Sequence, residues 1–136
     1  MGGFYALAAI IVLGARQGRF DESGKVLPIS GYSPVLALSG ALILFVTWIP
    51  FNTGSLTPGT QLFADAALAT VIAGAAGGLA GKTIGYFLQC KTFDPTASFN
   101  GILGGLVAVT SGVIFLGPFG AFAISIIGGG ENGRSF

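Results

Sequence analysis

The chain has 136 residues, of which 52% are hydrophobic and 8% charged, with a net charge of +1 and a mean hydropathy of +0.84. A soluble domain carries roughly a quarter charged residues, so this composition excludes a water-soluble globule, and the near-neutral balance excludes a nucleic-acid partner. The lack of histidine and the single cysteine, Cys90, exclude a disulfide framework within the chain, a His/Cys metal centre and the commonest proton shuttle. What remains is an integral membrane protein of the all-α class, a polytopic helix bundle in the lipid bilayer. Its 24 glycines lie among Ala, Leu, Ile and Val, the pattern of helices whose backbones approach closely in lipid.

The first apolar run, Gly2 to Gly14, covers about 12 residues, whereas roughly 20 are needed to cross the hydrocarbon. It is a signal-peptide core or half a helix. No positive region precedes Phe4, so half a helix is the better reading. Residues 15–33 hold Arg16, Arg19, Asp21, Glu22 and Lys25 with Gly24, Pro28 and Gly31, and form a polar loop. A second helix runs from Val35 to Ile49.

That helix ends in Thr47-Trp-Ile-Pro-Phe-Asn-Thr-Gly-Ser55, which a segment meant only to span lipid does not need. Pro50 lacks a backbone donor and crowds the carbonyl four residues earlier, so a break or kink is expected there. At membrane depth, broken backbone is tolerated where it is buried in protein or lines a water-filled cavity. Phe51, Asn52 and Ser55 are therefore candidates for a pore mouth. The alternative is a helix capped by an Asn-Thr-Gly turn.

An uncharged turn over 52–61 contains Pro58 and Gly59, and a third helix follows from Leu62 to Leu88. Thr70, Gly74, Gly77, Gly78, Gly81 and Gly85 recur along it at spacings of three and four, which makes one side a packing seam. A short polar loop over 89–95 carries Lys91 and Asp94. The fourth helix, Ser98 to Phe115, opens with Asn100-Gly101 and carries the pair Gly101 and Gly105. After Gly117-Pro118, a fifth run from Phe119 to Ile127 is again too short to span. The reading is three full and two partial transmembrane helices, a transmembrane domain over 1–128 and a flexible tail over 129–136. If the segments cross alternately, all six cations (Arg16, Arg19, Lys25, Lys82, Lys91 and Arg134) share one side, which places the 15–33 loop in the cytoplasm.

Three stretches taken together carry a resemblance: Leu13-Gly-Ala-Arg-Gln-Gly-Arg-Phe20, Trp48-Ile-Pro-Phe-Asn-Thr-Gly-Ser55, and Asn100-Gly-Ile-Leu-Gly-Gly-Leu-Val-Ala-Val-Thr-Ser-Gly112. In order and separation they resemble the ammonium transporter (Amt/Mep/Rh) family. The likeness runs from Gly2 to about Gly128 and corresponds to the end of the fifth through the start of the ninth helix of an eleven-helix fold. It implies part of a channel or transporter that recruits ammonium at an external mouth and passes ammonia through a hydrophobic pore, in the plasma membrane, as a homotrimer. The reading from another class is a truncated, non-transporting membrane protein that packs with full-length subunits.

The resemblance assigns Phe51 to an aromatic gate, Ser55 to a hydroxyl that recruits ammonium, and Trp48 to an aromatic lining the path. A structural alternative keeps Trp48 as an interfacial belt residue. The family's two pore histidines would lie upstream of Met1 and beyond Phe136. Within the matched region, glycines usual at the positions of Thr47 and Pro50 are replaced, and an Asn-Thr pair reads Ala69-Thr70. Among the remaining candidates, Asn100 reads as a helix cap in preference to a substrate ligand, and Asp65 as a helix-start carboxylate favoured by the dipole. No Ser/His/Asp, Cys/His or phosphate-cradling arrangement is present, so the chain does not read as an enzyme, and no cofactor is expected.

Overall fold

The computed structural model describes residues 2–21, 23–27, 29, 31–88 and 95–132. The loop over 89–94, with Cys90, Lys91 and Asp94, and the last four residues, with Arg134, lie outside the described residues, as do Glu22 and Pro28. The chain divides into two units, Met1–Tyr32 and Ser33–Phe136.

In the first unit α1 spans Gly2–Leu13. Its 12 residues reach about 18 Å, short of the hydrocarbon thickness, as its length in the sequence requires. No residue of α1 is buried. The polar loop that follows has more order than its composition implies. Asp21 N–H donates to the Lys25 carbonyl (2.9 Å) and Leu27 N–H to the Arg19 carbonyl (2.8 Å), and Phe20 pairs with Val26 in an isolated antiparallel bridge. Arg19 Nη1 donates to the Leu27 carbonyl at 3.2 Å, fastening the same ladder from a side chain. Gly24 takes φ +76° at the reversal, a conformation in which a Cβ is strained.

The second unit is a bundle of four helices: α2 Pro34–Thr53, α3 Gln61–Leu88, α4 Pro95–Thr110 and α5 Val113–Asn132. Ser33 caps α2 by accepting Leu36 N–H, with Pro34 in the first turn where its missing donor costs nothing. Thr60 does the same for α3 through Phe63 N–H.

The break expected at Pro50 does not occur. α2 continues through the proline to Thr53 and ends at Gly54. The cost that proline imposes on a helix in water is reduced in a membrane bundle, where hydroxyls and neighbouring helices re-satisfy freed backbone groups. Thr47 Oγ1 donates to the carbonyls of Ile43 (3.0 Å) and Leu44 (3.1 Å), and Thr53 Oγ1 to that of Ile49 (3.0 Å), back-bonds on either side of the proline that do not involve the Val46 carbonyl whose donor it removes. The real interruption lies in α5, where Gly117 adopts φ 57°, ψ 178° immediately before Pro118.

Two other boundaries differ from the sequence reading. α4 begins at Pro95 and stops at Thr110, because a turn over 111–112, closed by Gly112 N–H on the Val109 carbonyl, ends it before the apolar run does. At 16 residues, about 24 Å, it is too short to cross unaided. The residues Val113 to Phe115 instead start α5, which takes in the fifth run and continues through 128–132, where the composition suggested a tail. Among the described residues the helices long and apolar enough to cross are therefore α2, α3 and α5, the last over Val113–Glu131.

The reason glycines extend α5 is packing. A Cβ on Gly129 would meet Gly77 Cα at 2.5 Å, one on Gly128 the Ala108 Cβ at 2.6 Å, and one on Gly130 the Ile84 Cδ1 at 2.5 Å. The same seam joins α3 to α4: a Cβ on Gly81 would meet Gly101 Cα at 2.7 Å, and one on Gly105 would meet Gly77 Cα at 3.0 Å. Gly77 thus sits where three backbones meet, which confirms the seam read from spacing. Ala66, Ala69, Ala73, Val109, Val113 and Ala121 form the adjoining core. α2 joins this core more loosely; Phe45 lies against Gly74, where a Cβ would meet its ring at 2.5 Å.

Candidate functional site

α2 presents two faces near its C-terminal end. Trp48 and Asn52, one turn apart, share the face toward the bundle, while Leu44, Thr47 and Phe51 lie beside it. With few buried residues in α2 (Ala41, Asn52 and Thr53), polar groups rather than bulk hold this end in place.

Both anchors use the same chemistry. Trp48 Nε1–H donates to Thr110 Oγ1 of α4 at 2.8 Å, and Thr110 donates its own hydroxyl proton to the Leu106 carbonyl at 2.7 Å. Asn52 Nδ2 donates to Thr70 Oγ1 of α3 at 3.0 Å, and Thr70 donates to the Ala66 carbonyl at 2.7 Å. A threonine that bonds back to its own helix satisfies its donor and leaves oxygen lone pairs to accept. Asn52 and Thr70 are both buried, so this polar pair is fully internal.

The candidates are therefore separated. Trp48 and Phe51 are brought together, their ring centroids 5.8 Å apart with planes at 58°. They line, with Leu44 and Thr47, a groove of about 250 Å³. Phe51 is 68% exposed, so its ring is available to whatever occupies the groove. Ser55 lies exposed in the turn beyond α2 and is not among the groove's lining residues. Asn52, a candidate for the pore mouth on its sequence, is buried and turns its amide to α3 as an anchor.

Asn100 is a correction of another kind. α4 opens five residues earlier at Pro95, so Asn100 lies inside the helix and caps nothing. Its Nδ2 is buried and has no hydrogen-bond partner among the described residues. Asp65 stands one turn into α3, half-buried, where it accepts a hydrogen bond from Gln61 Nε2 at 2.9 Å. It is therefore past the first turn, in which α3 has no acidic residue. Among the described residues no group of three or more His, Cys, Asp or Glu side chains is placed to hold a metal ion.

Sequence reasoning missed Thr110 as a partner of Trp48, and counted Thr70 only as a small residue of the seam. The first pair is 62 residues apart in the chain. Neither hydroxyl has a periodicity that marks it as an acceptor. The one legible hint was Thr70 at the head of a glycine seam, where a hydroxyl can approach a neighbouring helix closely.

Comparison with known proteins bears on the whole of this arrangement. A family profile described as Ammonium Transporter Family matches residues 1–131. Ammonium transporter Amt2 of Methanocaldococcus jannaschii is 37% identical over 129 residues, covering 95% of this chain and 29% of that protein. Amt1 of the same organism is 40% identical over 131 residues, covering 94% of this chain and 32% of that protein. Amt2 of Archaeoglobus fulgidus is 34% identical over 130 residues, covering 95% and 28%. The chain thus spans about three tenths of the length of these curated relatives. No solved structure matches it significantly.

Proposed function

Because this chain belongs to the ammonium transporter family and is an integral membrane protein, we propose that its activity is transport, not catalysis. In this reading the C-terminal end of α2 forms part of the external mouth of an ammonium conduit. The observation that carries it is the Trp48–Phe51 pair, two aromatic rings 5.8 Å apart beside a groove, within a family match that covers residues 1–131.

The mechanism follows from the groups present. An ammonium ion leaving water needs compensation for lost hydration. The faces of Trp48 and Phe51 supply cation–π attraction of roughly 0.5–2 kcal/mol, the larger value where water is excluded. The Ser55 hydroxyl, exposed in the following turn, supplies an acceptor on the approach. In an apolar pore of the whole protein, desolvation would disfavour the charged amine, so that ammonium passes its proton to water at the mouth and neutral ammonia is the species that proceeds. The chain resides in the plasma membrane with the 15–33 loop cytoplasmic, the side that its cations favour, and works within a homotrimer.

The test is methylammonium uptake by a full-length relative in which residues 1–131 of this chain replace the matching segment. The chimera transports saturably. Ser55→Ala weakens uptake at low concentration, about threefold for the loss of one solvent-exposed hydrogen bond worth somewhat under 1 kcal/mol, with membrane insertion unchanged. Identical concentration dependence for the two proteins removes Ser55 from the site.

A further inference from the structure

We propose that Thr110 is a positioning residue: it fixes the indole of Trp48 and so sets the aromatic wall of the groove. Trp48 lies on the helix that is least buried in its bundle, with only 6% of its apolar window inside the structure compared with 39% for α3. Trp48 itself is half-buried, so packing covers only part of its ring. The indole has one donor, Nε1–H, and no acceptor. That donor is aimed at Thr110 Oγ1 at 2.8 Å, and the hydroxyl is in turn oriented by the Leu106 carbonyl at 2.7 Å.

Thr110 lines none of the groove that Leu44, Thr47, Trp48 and Phe51 form. It acts through the indole. With Nε1 tethered to α4, the ring meets Phe51 with centroids 5.8 Å apart and planes at 58°. Without the tether the ring can turn about its side-chain torsions, and the geometry of the pair is lost. A hydroxyl of this kind in lipid is worth keeping only if both its roles are filled, because an unpaired indole N–H there costs more than in water. The functional consequence rests on the reading of Trp48 as a wall of an ammonium path; the tether itself does not.

The single tryptophan makes the test direct. The full 136-residue chain, labelled with ¹⁵N in lipid nanodiscs, gives one indole ¹H–¹⁵N resonance. In the unaltered chain that proton is shifted downfield and protected from exchange. Thr110→Val, which keeps the shape and removes the acceptor, moves it upfield and speeds its exchange about five- to tenfold, the factor expected for one hydrogen bond. Thr110→Ser restores both. An unprotected indole in the unaltered chain overturns the proposal whether or not the valine variant folds, and so does a valine variant with an unchanged resonance. In the transporting chimera, Thr110→Val lowers uptake several-fold and Thr110→Ser does not; an unchanged rate alongside a released indole overturns the positioning role. If the chimera fails to transport, the path reading falls, while the resonance still decides whether Thr110 holds the ring.

Discussion

Thr70 and Thr110 each serve twice through one oxygen, donating to a carbonyl four residues earlier and accepting from α2. Ser39, Thr53 and Thr83 make the same back-bond and Thr47 a forked one to Ile43 and Leu44, all within their own helices. Two members of a common motif have thus been turned into helix-to-helix anchors by the placement of a donor opposite. The buried pair predicts an asymmetry. Thr70→Val strands the Asn52 amide and costs about 1–3 kcal/mol, whereas adding Asn52→Leu recovers most of that loss, because an apolar pair leaves nothing unsatisfied. Denaturation in mild detergent of the two single variants and the double variant measures it; a double variant as unstable as the sum of the singles contradicts the pairing. Beyond the position of Thr70 in the glycine seam, these pairings were not legible beforehand, since nothing in a residue's neighbours says which distant hydroxyl will face it.

The helices divide into a tight trio and a looser fourth. α3, α4 and α5 meet backbone to backbone at Gly77, Gly101, Gly105 and Gly129. This seam was legible because a glycine spacing of three and four has few other uses in lipid. Gly77→Val is expected to cost about 3 kcal/mol, at the upper end for overpacking, because rigid backbone atoms are what the new side chain meets. Gly40→Ala in α2, where a Cβ meets nothing within 4 Å, changes stability by no more than about 0.5 kcal/mol. Equal effects at the two positions, measured by thermal unfolding in detergent, would contradict the seam. Helix ends were less legible. Rules learned in water end a helix at Pro50 and at Gly128, yet α2 runs through the first and α5 through the second. The proline removes one rung of the α2 ladder without ending the helix, and the glycines are required by close approach. The break falls instead at Gly117, in a region that only glycine occupies readily. Gly117→Ala therefore costs about 1–3 kcal/mol of backbone strain although its surroundings are empty.

In the bundle of 33–132 the groove at Trp48 and Phe51 is bounded by four residues, all on α2. Most large apolar side chains of α2, among them Val35, Leu36, Ile43 and Val46, are exposed, as expected where lipid or further helices cover them. The family and the membrane class were readable from composition and three motifs, because both depend on residue types. The enclosure of a conduit depends on how many walls are present, and this chain covers about three tenths of its relatives' length. Methylammonium uptake into liposomes tests this account most directly, with the chain alone compared against the chimera that supplies the remaining walls. Leak-level uptake is expected of the chain alone and saturable uptake of the chimera. Saturable uptake by the chain alone, or none by a correctly inserted chimera, would contradict it.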